Sequence, residues 1–170
     1  DGVCNYSDYR PGLVNTGGIA RVKTVIDRIR ASHGDVPVMH LDSGDAFQGA
    51  PQFNLYKGEL EMLAIQKLGI DAMAIGNHEF DNGTAALVSA YKKSGGFPLL
   101  ASNYLFDWDG HKGLMDITSP YLILMRGSLR IGIIGVGNDS SLTSIYQIGG
   151  SIGFNVIDPI ESAQTYVNVV

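Results

Sequence analysis

The apolar positions of this chain change period several times, and each change marks an element. After Gly18, residues Ile19, Val22, Val25, Ile26 and Ile29 fall on one stripe at helical spacing, which predicts an amphipathic helix ending at His33-Gly34. Val36 to Leu41 is a short apolar run that predicts a buried strand, and residues 42–46 form an acidic loop after it. Between Phe53 and Leu68, the positions Leu60, Leu63, Ala64 and Leu68 predict a second helix, stopped by Gly69. Ala72 to Ile75 reads as a second buried strand, closed by Gly76. A third helix is expected over Thr84 to Lys93, with Leu87, Val88 and Tyr91 turned inward, then a short strand from Phe97 to Ala101.

Residues 104–118 are polar and rich in Gly and Asp, and are expected to form a long loop. Tyr121 to Met125 and Leu129 to Val136 read as a hairpin about Arg126-Gly127-Ser128. A last amphipathic helix starts with Asp158 as its cap and Pro159 at its first position. Residues 1–16 lack periodicity and read as a loop or arm. Helices alternating with buried strands predict an α/β fold with parallel pairing in its first part.

That pairing gives the polar residues their meaning. Asp42-Ser43-Gly44-Asp45 follows the first predicted strand, and Gly76-Asn77-His78-Glu79-Phe80-Asp81 follows the second. Two parallel strand ends lie side by side at the edge where open α/β sheets bind ligands. A divalent cation takes oxygen and nitrogen donors, and a dinuclear site wants one carboxylate able to bridge. Asp45 suits the bridge, between Gly44 for a sharp turn and Gly49 for close passage, while Asn77 adds a neutral carbonyl oxygen. Asp81, three residues after His78, can hydrogen-bond one ring nitrogen and fix its tautomer, leaving the imidazole as ligand or acid/base group. Taken singly, each of these residues is better read as a turn former or an exposed loop side chain. Their joint order after two strands favours phosphate chemistry assisted by metal.

Composition narrows the field. The chain has 170 residues, 45% of them hydrophobic, and a net charge of −5. Its densest basic stretch, Arg21, Lys23, Arg28 and Arg30, is interrupted by Asp27 and reads as a solvated helix face, so a nucleic-acid polymer is not an expected partner. Cys4 is alone and forms no internal disulfide. No apolar run reaches the roughly 18 residues of a membrane span. Gly132-Ile133-Ile134-Gly135-Val136-Gly137 has the wrong spacing for a dinucleotide loop, and Ser140 and Ser141 lack a nucleophile-elbow context. His40 reads as a hydrogen-bonded core or interface residue and His111 as an exposed loop residue. Asn103, at a strand end, is open between orienting phosphate and capping.

The two strand-end motifs, with Gly17-Gly18-Ile19-Ala20-Arg21 and Phe97-Pro98-Leu99-Leu100-Ala101-Ser102-Asn103, resemble the calcineurin-like metallophosphoesterases, and among them the 5′-nucleotidase family. The resemblance runs from about residue 17 to about residue 136. It implies part of a four-layer α/β/β/α sandwich and two divalent metal ions (Zn, Mn, Mg, Ca or Co). It implies that Asp45 bridges them, that Asn77 binds one, and that His78 and Asp81 form the catalytic dyad. The implied activity is hydrolysis of phosphate monoesters, chiefly nucleoside 5′-phosphates. The alternatives are a phosphodiesterase, a nucleotide-sugar or sulfur-ester hydrolase, or a non-catalytic scaffold. The family's Asp-x-His and Gly-His-x-His motifs have no counterpart among His33, His40, His78 and His111. The expectation is therefore an incomplete domain over 1–170, lacking the second half of the sandwich and the nucleoside-binding domain. Alone it should bind metal weakly, fail to turn over, and self-associate or pair with a partner fragment. Periplasmic or secreted placement follows by analogy with the family.

Overall fold

The computed structural model describes residues 17–49, 51–106, 111–138 and 155–170. The expected loop or arm at 1–16, Cys4, Ser140 and Ser141 lie outside them. Four parallel strands form the central sheet: β1 (Leu41–Asp42), β2 (Ala72–Ala74), β3 (Leu99–Leu100) and β5 (Thr118–Ser119), in the order β1-β2-β3-β5. Leu41 pairs with Ala72, Met73 with Leu99 and Leu100 with Ser119. A separate antiparallel pair joins β4 (Tyr104–Leu105) to β8 (Asn155–Val156). The hairpin of β6 (Tyr121–Arg126) and β7 (Leu129–Ile134) turns at Gly127, whose φ of 59° is readily adopted by glycine.

Six α-helices lie among the described residues. They are α1 (Ile19–Ser32), α2 (Pro51–Tyr56), α3 (Glu59–Leu68), α4 (Thr84–Ser94), α5 (Lys112–Met115) and α6 (Pro159–Val167). Gly69 and Gly95 end α3 and α4 in left-handed conformations, each donating its N–H to a carbonyl of the last turn. Asp158 caps α6 by accepting from the N–H groups of Ile160 and Glu161. Met62, Ile65 and Leu68 of α3 and Leu87 and Ala90 of α4 join Met73, Ile75, Phe80, Leu99 and Leu114 in one buried cluster.

Four expectations change. The run 36–41 is not a buried strand: only its end pairs, Val36 is 63% exposed and Leu41 47%. Among the described residues β1 has a neighbour on one side only. The helix expected over 53–68 breaks at Lys57 and Gly58, whose positive φ values leave the helical region, and the ring of Phe47 fills the space that a side chain at 58 would take. The stripe on α1 is half used. Ile19 and Ile26 pack on the core, while Val22, Val25 and Ile29 on its other margin stay exposed. The long loop over 104–118 contains β4, α5 and β5, the last completing the parallel sheet.

Candidate active site

The acidic loop leaves β1 and the Asn-His loop leaves β2, and the parallel pairing of Asp42 with Met73 brings both loops to the same edge. Asp42 starts the first turn by accepting from the N–H of Gly44 at 2.9 Å. Gly44 then takes φ 87°, and here no other residue fits: a Cβ would lie 2.6 Å from the Ala74 carbonyl oxygen and closer still to the Gly76 nitrogen. Phe47, 2% exposed and packed on Phe53 at 5.3 Å, anchors the far side of the loop in the core.

Asp45 sits between these anchors with φ 62° and an exposed side chain. Its Oδ1 accepts from the His78 N–H at 3.0 Å, which sets the carboxylate directly beside residues 77 and 78. The second loop closes as a single 3-10 turn over His78–Phe80, with Phe80 fully buried as its pin. His78 Nδ1 lies 3.0 Å from Asp81 Oδ2. Ionised Asp81 can only accept, so Nδ1 carries the hydrogen and Nε2 is the ring nitrogen left for a ligand. Asp45, Asn77, His78 and Asp81 are thus brought together at one edge of the sheet.

Glu79, inside the same motif, is the group to which sequence reasoning assigned no role. Its side chain is fully buried and accepts the N–H groups of Asp45 (2.9 Å), Ala46 (2.7 Å) and Gly76 (2.7 Å). Burial pushes its carboxyl above the ordinary range, against the three N–H bonds and with the help of the nearby Asp45 charge. Its position one residue after His78 was the available signal. Glu61 is the second omission: it borders a cavity of about 270 Å³ beside Asp45, Asp42 and Gln48, and its Oε2 is buried with no hydrogen-bond partner among the described residues.

Three other expectations resolve differently. His111 is buried at 7%, not exposed, and its carbonyl accepts the Leu114 and Met115 N–H groups at the start of α5. His40 is half-buried, but its Nδ1 has no hydrogen-bond partner among the described residues, and its backbone N–H bonds Asp71 instead. Asn103 is fully buried and brackets Gly137, donating Nδ2–H to its carbonyl at 2.9 Å and accepting its N–H at 2.8 Å. Of the two roles left open, it takes the structural one.

The donor set suits a hard divalent cation. Among the described residues, Asp45 Oδ2 and the Asn77 carboxamide make no hydrogen bond, and both offer oxygen. No group of three or more His, Cys, Asp or Glu side chains among the described residues could hold a metal ion. An ion site wants about four donors, more than Asp45 and Asn77 offer by themselves.

No protein-family model matches the chain. It is 41% identical over 119 residues to a snake venom 5′-nucleotidase of Gloydius brevicauda, covering 70% of this chain and 20% of that protein. A 5′-nucleotidase precursor from Thermus thermophilus superposes with a TM-score of 0.74 at 32% identity, over 90% of this chain and 29% of that one. This chain belongs to the 5′-nucleotidase family of calcineurin-like phosphoesterases. The NAD nucleotidase of Haemophilus influenzae has the same fold, with a TM-score of 0.78 at 25% identity, over 90% of this chain and 29% of that one. The family is metal-dependent. The chain spans about a fifth of the length of the curated relatives it matches. No helix among the described residues is long and apolar enough to cross a membrane.

Proposed function

We propose that this chain carries part of the catalytic centre of a metal-dependent phosphohydrolase acting on nucleoside 5′-phosphates. The observation that carries the proposal is the Asp45–His78 contact at 3.0 Å, which unites the two loops at one sheet edge. Asp45 and Asn77 would hold metal. The chemistry supplied by bound divalent cations is positive charge for the phosphate oxygens and activation of water. His78 would serve the leaving oxygen through Nε2, while Asp81 fixes the ring through Nδ1. The remaining donors of the metal shell would have to come from other residues of the protein. An extracellular or secreted setting fits the venom relatives.

Phosphate release by the full-length protein, with Mn2+, Zn2+, Mg2+, Ca2+ or Co2+ after chelation, tests this. A nucleoside 5′-monophosphate should be cleaved faster than a 2′,3′-cyclic nucleotide, a nucleotide sugar or a sulfur ester. Asp45→Asn should lose both metal and turnover, whereas His78→Gln should keep metal and lose about a hundredfold in kcat. Absence of hydrolysis with every one of these cations would overturn the proposal.

A further inference from the structure

Glu79 does more than fill space between two loops. Both of its oxygens are used: Oε2 accepts from Asp45 and Gly76, and Oε1 accepts from Ala46. The donors come from both loops, 33 and 34 residues before Glu79 in one and three residues before it in the other. In return, the side chain of Asp45 in the first loop accepts from the backbone of His78 in the second. Each loop thus holds the other through one carboxylate. Gly44 and Gly76 make the approach possible, since a Cβ at Gly76 would lie 2.5 Å from the Asp45 nitrogen.

Asp45 needs such a restraint. Its φ of 62° is left-handed, a region that a residue with a Cβ adopts only at a conformational cost. A strained conformation persists only where its surroundings over-determine it. A buried carboxylate is a costly group with which to join two loops, so its retention calls for a function that an apolar side chain could not serve. An apolar side chain would leave three N–H groups without acceptors and Asp45 free to relax.

We propose that Glu79 is a positioning residue, fixing Asp45 in the left-handed turn that presents its carboxylate beside Asn77. It sets metal affinity without touching metal or substrate. The inference rests on the hydrolase reading for its purpose, while its geometry can be tested without activity. In the metal-free full-length protein, amide hydrogen exchange should show Asp45, Ala46 and Gly76 protected about a hundredfold over open loop amides.

In Glu79→Gln the amide nitrogen replaces one acceptor, so Mn2+ should bind at least about tenfold more weakly at a temperature where the variant is folded. Leu87→Ala, a core truncation in α4, should lower the melting temperature and leave Mn2+ affinity within about twofold. Three results would overturn the inference: open-loop exchange at those three amides in the unmutated protein, unchanged Mn2+ affinity in Glu79→Gln, or an equal loss in Leu87→Ala. If Glu79→Gln does not fold, exchange in the unmutated protein decides alone. If the unmutated protein neither binds cations nor releases phosphate, the hydrolase reading fails and the exchange pattern still tests the clamp.

Discussion

Substituting Gly44 by Ala tests whether the approach of the two loops is as tight as the structure states. Two costs add. The first is conformational: φ 87° lies in the region that favours glycine, and holding Ala there costs about 1–2 kcal/mol. The second is steric. The new Cβ would sit 2.6 Å from the Ala74 carbonyl oxygen, against about 3.5 Å or more for comfortable contact, and it would also press on the Gly76 nitrogen. Both atoms are backbone at or just beyond β2, so no rotamer change relieves the overlap. A strand shift of that kind costs about 1–3 kcal/mol.

The sum is about 2–5 kcal/mol, or roughly 5–15 °C in melting temperature for a chain of this size. Gly34→Ala is the internal control, because its φ is also positive at 55° but no atom lies within 4 Å of a Cβ there. It carries the conformational cost alone. Thermal and urea unfolding followed by circular dichroism, in chelated buffer, separates the two variants. If Gly44→Ala melts within about 2 °C of Gly34→Ala, the steric argument is refuted and the loops lie farther apart than described.

Three further outcomes are expected. Gly76→Ala has no positive φ to strain, so its effect is aimed at Asp45: Mn2+ titration should show about a tenfold loss of affinity, and unchanged binding would count against the contact. Asn103→Ala strips both hydrogen bonds from the buried Gly137 bracket and should cost about 2–4 kcal/mol by urea midpoint; a loss under about 0.5 kcal/mol would mean that water replaces the amide. Asp158→Ala removes the α6 cap and should cost about 1 kcal/mol in unfolding experiments without changing Mn2+ affinity.

How much of this was legible beforehand depends on the range of the signal. The ends of α1 and α3 and the start of α6 were written locally, in glycine stops and an Asp-Pro start, because a helix satisfies its hydrogen bonds within itself. The same holds for His78 and Asp81, three residues apart on one turn. Asp45 and Asn77 could be named because strand ends and ligand chemistry suggest a site before its geometry is known.

Tertiary structure decided what spans distance. Thr118–Ser119 has no strand signal of its own and becomes β5 only because Leu99 and Leu100 offer open backbone partners. That residue 58 must lack a side chain is set by the ring of Phe47, and the role of Asn103 by Gly137, 34 residues away. Glu79 is the clearest case. In sequence it is an acid beside a histidine. Its function arises only when two loops converge, since a carboxylate has meaning in the interior through the donors that reach it.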